Sequence, residues 1–130
     1  MSVELGQKGW TDQAQGRYAR MVLKQLKEYF DRQRTDFDLR LDLKRFTNFE
    51  RKVLIAVRKI PYGQTISYSA IARSISVPEG ARAVGQVVAK NPWPIIIPCH
   101  RVIRADGLLG GFGGGIKWKR RLLRLEGILK

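Results

Sequence analysis

The chain's one cysteine and one histidine stand side by side, as Cys99 and His100 in the stretch Ile95-Ile96-Ile97-Pro98-Cys99-His100-Arg101-Val102. A thiolate is the strongest nucleophile among ordinary side chains near neutral pH, and a nearby imidazole is the usual device for making one. Three β-branched residues closed by Pro98 predict a short buried strand over 95–98, ending where proline has no amide to give a ladder. Upstream, Asn91-Pro92-Trp93-Pro94 predicts a stiffened turn whose Asn side chain bonds backbone groups a few residues on. Neighbours on an extended segment point to opposite faces, so thiol and imidazole would communicate through a water rather than by direct contact. A lone cysteine is more often a small buried hydrophobe. One Cys and one His are too few for a typical zinc site, so no structural metal is expected.

The charge narrows the choice of partner. There are 25 Lys and Arg against 11 Asp and Glu, a net +14, which favours a polyanion such as nucleic acid or an anionic membrane surface. The excess is densest beside the cysteine: residues 99–130 hold eight basic residues and two acids, although such a cluster is commonly a solvated helix face. No stretch approaches the roughly 20 apolar residues that span a bilayer. The N-terminus also lacks a signal-peptide pattern, so a soluble protein is expected, cytoplasmic or, in a eukaryote, nuclear. A single cysteine excludes an internal disulfide and suits a reducing compartment. With 44% hydrophobic residues, 130 residues fit one domain with a real core.

Residues 1–16 lack periodicity and are expected to be a flexible lead-in. Tyr18, Met21, Val22, Leu26, Tyr29 and Phe30 recur at helical spacing and predict a helix over 17–32. Phe37, Leu39, Leu41 and Leu43 alternate with polar residues, predicting a half-buried strand or extended arm over 35–46. Thr47-Asn48-Phe49-Glu50 reads as a capping box opening a helix of about 13 residues. Pro61-Tyr62-Gly63-Gln64 reads as a turn and Thr65-Ile66 as a brief strand, with Ser67 or Ser69 capping a short helix to about Ser74. Pro78 suits the first turn of a second helix reaching Lys90. Two short helices across a tight turn make a helix-turn-helix, a pattern shared with any αα-hairpin. Strands at 95–98 and 101–104 would add a wing.

The helix from 78 to 90 is small-sided, with Ala81, Ala83 and Gly85 around a projecting Arg82. Gly85 in mid-helix costs roughly 1 kcal/mol relative to Ala. Close approach to a nucleic-acid groove would explain it, and so would tight packing on a neighbouring helix. The run Gly110 to Gly115 lacks the Gly-Lys-Ser/Thr ending of a phosphate loop; it reads as a flexible turn or, beside the cysteine, as a pocket wall. Lys117 to Leu125 predicts a basic helix with Trp118, Leu122 and Leu125 inward and Lys119, Arg120, Arg121 and Arg124 outward. Glu126 ends it before Gly127. An acid there sits at the wrong end of the helix dipole, which points to a specific partner, and His100 is the candidate.

The segment Asn91-Pro92-Trp93-Pro94-Ile95-Ile96-Ile97-Pro98-Cys99-His100-Arg101-Val102 resembles the active-site signature of the O6-alkylguanine-DNA alkyltransferases. The likeness runs from Phe49 to Glu126 in matching order, through Ile60 to Tyr68, Ala81 to Gln86, the Gly110 to Gly115 run and Leu122 to Gly127. Five ordered blocks are far more specific than one tetrapeptide. The resemblance implies an α+β, mostly α, fold: a winged helix-turn-helix alkyltransferase domain over 47–130, preceded in 1–46 by a remnant helix and extended arm. The strands that usually open the family's N-terminal domain have no counterpart here.

It further implies a monomeric, cofactor-free, single-turnover methylated-DNA–protein-cysteine S-methyltransferase acting on double-stranded DNA. The alkyl group of O6-alkylguanine, and of O4-alkylthymine, would pass irreversibly to Cys99. His100 would take the thiol proton, Glu126 orient His100, Tyr68 protonate the departing guanine and Asn91 pin the loop. Arg82 would fill the gap left by the flipped base. Ala81, Ala83, Gly85, Lys90, Arg101 and Tyr68 would face DNA, while Pro94, Val102, Phe112, Gly113 and Gly114 would line the substrate pocket. Phe112-Gly113 replaces a Tyr-Ser pair common in the family, which loses a hydroxyl, keeps the amide and leaves the range of alkyl groups open.

Three other readings compete. Non-enzymatic relatives bind alkylated DNA but have the nucleophile replaced. A winged-helix transcription regulator would use the same basic surface with an inert cysteine. A cysteine hydrolase is disfavoured by the adjacency of Cys99 and His100.

Overall fold

The computed structural model describes residues 12–107, 109 and 115–129 of the chain. Among them run α1 (Asp12–Phe30), α2 (Asn48–Arg58), β1 (Ile66–Ser67), α3 (Tyr68–Ser74), α4 (Ala81–Ala89), a 3-10 turn (Cys99–Arg101), β2 (Val102–Ile103) and α5 (Ile116–Leu125). The class is the expected one, α+β and mostly helical. No helix among the described residues is long and apolar enough to cross a membrane.

Helix α1 begins at Asp12, so residues 12–16 are helical rather than a flexible lead-in, and residues 1–11 lie outside the described residues. Its inner face is Val22, Gln25 and Tyr29, at the helical spacing of three and four. The arm beyond it keeps the expected two-residue rhythm, with Leu39 buried, Phe37, Leu41 and Leu43 half-buried, and Asp36, Asp38 and Arg40 exposed. It is nevertheless not a strand, since no described strand pairs with it. Side chains satisfy its backbone instead. Gln25 takes both the N–H and the C=O of Asp38 (3.0 and 3.3 Å), Arg58 donates to the carbonyls of Phe37 and Leu39 (3.3 and 2.6 Å), and the Tyr18 hydroxyl donates to Arg40 O (2.6 Å).

The capping box forms as written: Glu50 N–H donates to Thr47 Oγ1 (3.1 Å) and Thr47 N–H to Glu50 Oε1 (2.8 Å), a cap worth roughly 1 kcal/mol. Val53, Leu54 and Val57 then bury the face of α2 that packs against α3 and α4. Of the two serines, Ser67 is the cap of α3, its Oγ accepting from Ala70 N–H at 3.0 Å. Helix α4 is shorter than the sequence suggests. Pro78 lies not in its first turn but in a β-turn closed by Gly80 N–H to Val77 O at 2.8 Å. A Cβ on Gly80 would come within 2.8 Å of Val77 Cγ1, so this turn admits only glycine without rearrangement.

The largest departure is at 95–98, which is a tight turn and not a strand. Pro92, Pro94 and Pro98 remove the donors that a ladder needs. The apolar side chains of Trp93, Ile96 and Ile97 reach the core through a reversal, with Ile97 N–H bonded to Trp93 O at 2.9 Å and Ile95 at φ 74°. The expected strand at 101–104 contracts to β2. It pairs in parallel with β1, Ile66 opposite Val102 and Ser67 opposite Ile103. One hydrophobic cluster joins Val22 and Leu39 to α2, α3, α4, Trp93, Ile97 and Cys99, so the N-terminal pieces share the core of the rest.

Candidate active site

Asn91 organises the loop that delivers the sulfur. Its Oδ1 accepts from Trp93 N–H (3.0 Å) and its Nδ2 donates to Ile97 O (2.9 Å), tying the two ends of the reversal together. That tie matters because a β-branched residue at positive φ, as Ile95 is, costs on the order of 1–3 kcal/mol and persists only where its surroundings over-determine it. Cys99 N–H then bonds Ile97 O (2.7 Å) and the chain enters the 3-10 turn. Successive side chains in such a turn diverge by about 120°. Cys99 and His100 therefore point apart, for a reason other than the alternation of an extended strand. Burial pushes the Cys99 thiol above its ordinary value; the Asn91 side chain and the charge of Lys119 pull the other way. The sulfur rests as a thiol that needs a base.

Glu126, just past α5, is fully enclosed by donors. Its Oε2 accepts from His100 Nε2 (2.6 Å), the Tyr29 hydroxyl (2.6 Å) and one Arg101 nitrogen (2.9 Å). Its Oε1 accepts from Arg101 Nε (2.8 Å) and from the backbone N–H of Gly63 (3.1 Å), whose φ of 80° turns that amide toward the carboxylate. Burial alone would raise the carboxyl, but hydrogen bonds from His100, Arg101 and Tyr29 bring it down to about 2. An ionised Glu126 fixes the imidazole tautomer, because Nε2 must carry the proton it donates. Nδ1 is then a lone pair, and it is buried with no partner among the described residues. Burial lowers the His100 pKa, the hydrogen bond and charge of Glu126 oppose this, and the charges of Arg101 and Lys119 add to the lowering. A neutral imidazole with a free Nδ1 is a base, not an acid.

Lys119 is also buried. Its Nζ donates to Val102 O (2.6 Å) and to Leu109 O and lies 6.0 Å from the centre of the Tyr68 ring. Burial lowers its pKa to about 8, opposed by the nearby sulfur of Cys99. Tyr68 is half-buried, its hydroxyl pKa raised by burial and then by Cys99, so it remains a proton donor. Its ring lies against α4, where a Cβ on Gly85 would sit 3.7 Å away. That is ordinary contact, so alanine would fit and a longer side chain would displace Tyr68.

Residues 48–128 match the family described as 6-O-methylguanine DNA methyltransferase, DNA binding domain. The chain belongs to this methyltransferase family. A methylated-DNA–protein-cysteine methyltransferase of Mycobacterium bovis is 54% identical over 102 residues, which are 78% of this chain and 61% of that protein. The crystal structure of Mycobacterium tuberculosis OGT in complex with DNA superposes with a TM-score of 0.78 at 51% identity, covering 82% of this chain and 64% of that one. S. pombe Atl1, in complex with damaged DNA containing O6-carboxymethylguanine, superposes at 0.56 with 37% identity, covering 64% of this chain and 79% of that one. The chain thus spans about 61% of the length of the mycobacterial relative.

Of the residues the methyltransferase resemblance singled out, the structure gathers the buried Cys99, His100, Glu126 and Val102, with half-buried Asn91 and Tyr68 at the edge and Pro94 half-buried in the adjoining loop. Arg82 and Lys90 are exposed on α4 and at its end, with Ala81, Ala83 and Gly85 half-buried along it. Phe112, Gly113 and Gly114 lie outside the described residues. Three expectations fail. Arg101 does not face a DNA partner: it is buried, bonding Glu126 with two nitrogens and Ile60 O with the third (2.6 Å), because an enclosed carboxylate needs a fixed countercharge. Lys119 points inward and Trp118 outward, 46% exposed, the reverse of the sequence reading. Placing Leu122, Leu123 and Glu126 inward puts Lys119 on the same stripe by spacings of three, four and seven, a signal the basic composition of the helix obscured. Tyr29 was read only as one of several apolar positions on a helix; nothing in its local sequence announces a partner 97 residues away.

Proposed function

We propose that the chain repairs alkylated DNA by direct reversal, moving the alkyl group of O6-alkylguanine, and of O4-alkylthymine, onto Cys99. The observation that carries this is the buried row Cys99, His100, Glu126: a resting thiol, a neutral imidazole with Nδ1 uncommitted, and an ionised carboxylate holding Nε2. A base within a duplex cannot present its O6 substituent to a buried sulfur, so the damaged nucleotide is rotated out at a cost of a few kcal/mol. Arg82, exposed on the small-sided α4, takes the vacated place, with Ala81, Ala83 and Gly85 against the groove and Lys90 at the phosphates. The α3–α4 pair is then the helix-turn-helix, while the wing expected from strands at 95–98 and 101–104 is reduced to β2 among the described residues. Residues 47–130 carry the DNA-binding and transferase residues, and α1 with the arm after it packs on the same core.

In the reaction, the Cys99 proton passes through a water to His100 Nδ1 and the thiolate attacks the alkyl carbon. As the carbon–sulfur bond forms, the carbon–oxygen bond breaks. Guanine leaves neutral by taking a proton at a ring nitrogen from the Tyr68 hydroxyl. The buried Lys119 ammonium favours both the thiolate and the phenolate so produced. Pro94 and Val102 bound the base. The product is a thioether, a poor leaving group, so each molecule reacts once. No cofactor enters, and the protein acts as a monomer in the compartment that holds the DNA.

Incubation with a duplex carrying O6-methylguanine, followed by intact mass, tests this directly. The expected result is one methyl per chain, located on Cys99 and absent in Cys99→Ala, which still binds the duplex. The likeness to Atl1 bound to damaged DNA favours a second reading, recognition without transfer. Tight binding with no gain in mass by the unaltered protein would establish that one and exclude the first.

A further inference from the structure

We propose that Tyr29 is a positioning residue for the transfer: by sharing Oε2 of Glu126 with the imidazole, its hydroxyl limits how strongly the glutamate holds a proton on His100. The inference rests on the alkyl-transfer reading for its consequence, though not for its geometry. Three donors converge on Oε2, His100 Nε2 and the Tyr29 hydroxyl at 2.6 Å each and an Arg101 nitrogen at 2.9 Å. One carboxylate oxygen has two in-plane lone pairs, so the three compete, and each bond that one donor makes weakens the oxygen's hold on the others. Tyr29 is fully buried, its ring wedged against Phe30, Phe37 and Tyr62 at centroid distances of 5.3, 5.7 and 6.1 Å. Its hydroxyl cannot swing away to another acceptor without dislodging that cluster.

The charged and titratable groups facing His100 are few. Glu126 after α5 favours the imidazolium; Arg101 beside it and Lys119 on α5 oppose it; the Cys99 thiol lies next in the chain. Tyr62 stacks on Arg101, its ring centre 5.6 Å from the guanidinium carbon. Against this background, the Tyr29 bond tips the pair toward neutral imidazole. A neutral His100 keeps Nδ1 available as the base for the sulfur. Tyr29 sits on α1, outside the residues 48–128 that match the family's DNA-binding domain, so the transferase unit draws one of its tuning groups from the N-terminal helix.

The test exploits the single histidine and single cysteine of the chain. The full-length protein and Tyr29→Phe, which keeps the ring and deletes the hydroxyl, are titrated by NMR on the imidazole nitrogens. In parallel, the pH dependence of Cys99 alkylation by iodoacetamide is followed by mass. The expected result is an upward shift of roughly one unit in the His100 midpoint of Tyr29→Phe, with the acid limb of the Cys99 rate moving equally. In a Glu126→Gln background the same substitution should move neither.

An unchanged midpoint in Tyr29→Phe overturns the proposal, because a purely structural tyrosine would lower stability and leave the titration alone. A shift that persists with Glu126→Gln overturns the route through Glu126. Neither measurement uses DNA. Absent methyl transfer with the shift intact would therefore sink the functional reading alone, and intact transfer with no shift would sink this one alone.

Discussion

Lys119 carries its charge in a place where charge is disfavoured, and the consequence is measurable apart from any reaction. Its pKa in the folded chain is about 8 against an ordinary 10.5. Between those values the unfolded chain holds the proton and the folded chain does not, so stability rises with pH across that window, and below about 8 the burden is constant. Urea unfolding at a series of pH values should give a curve for the wild type that climbs relative to that of Lys119→Met from pH 8 to 10.5. Parallel curves would mean that the ammonium is effectively solvated. The same substitution removes a cation that favours the Cys99 thiolate, and should slow its alkylation at neutral pH roughly tenfold, the equivalent of about one pKa unit. Cys99, His100 and Glu126 were legible in the sequence because each is anomalous: two residue types that occur once, and an acid at the wrong end of a basic helix. Lys119 is one of several cations in a row, and only its phase on α5 distinguishes it.

Elements were legible where local chemistry decides them and illegible where the partner is distant. The capping box before α2 and the Ser67 cap of α3 involve atoms three residues apart; the first forms as the sequence predicts, and the second is one of the two serines it offered. The 35–46 arm and the 95–98 segment have strand-like side chains but not strand-like surroundings. One is satisfied by Gln25 and Arg58 from helices distant in sequence; the other is forced into a reversal by its prolines. Helix α4 shows why exact bounds matter less than faces: it starts three residues later than expected, yet Arg82 projects outward as expected, opposite the buried Val84 and Val88. On the alkyl-transfer reading Arg82 acts only where a duplex must be kept open. Unstacking a base costs a few kcal/mol, and forfeiting roughly 1.4 kcal/mol of its compensation is a factor of ten in rate. Arg82→Ala should therefore slow methyl transfer from duplex DNA about tenfold while barely changing transfer from a single strand. Equal losses on the two substrates would make Arg82 a phosphate contact and nothing more.

Glu126 joins parts of the molecule that no local rule would connect: Tyr29 from α1, Gly63 and, through Arg101, Ile60 from the turn after α2, and His100 and Arg101 from the 3-10 turn. A carboxylate with this many donors is strongly stabilised only while it is ionised. Its pKa of about 2, against an ordinary 4.5, means that this contribution is complete above pH 4.5 and is lost as pH falls toward 2. Among the described residues, the carboxylate pairs Lys27–Asp31, Arg34–Glu28 and Arg104–Asp106 are exposed or half-exposed, where such bridges contribute about 0–1 kcal/mol. The loss between pH 4.5 and 2 should therefore concentrate at Glu126, on top of an earlier loss that begins below 6.5, where the unfolded chain protonates a histidine that the folded chain keeps neutral. Denaturant unfolding of the wild type should lose stability steeply across that window, with α1 and the 99–101 turn released together because both are anchored to the same group. Glu126→Gln should begin lower by roughly 3–5 kcal/mol, since it leaves the Arg101 guanidinium buried and unpaired, and should then change little with pH over the same range. A wild-type curve as flat as that of the variant would mean that Glu126 orients His100 without holding the fold together.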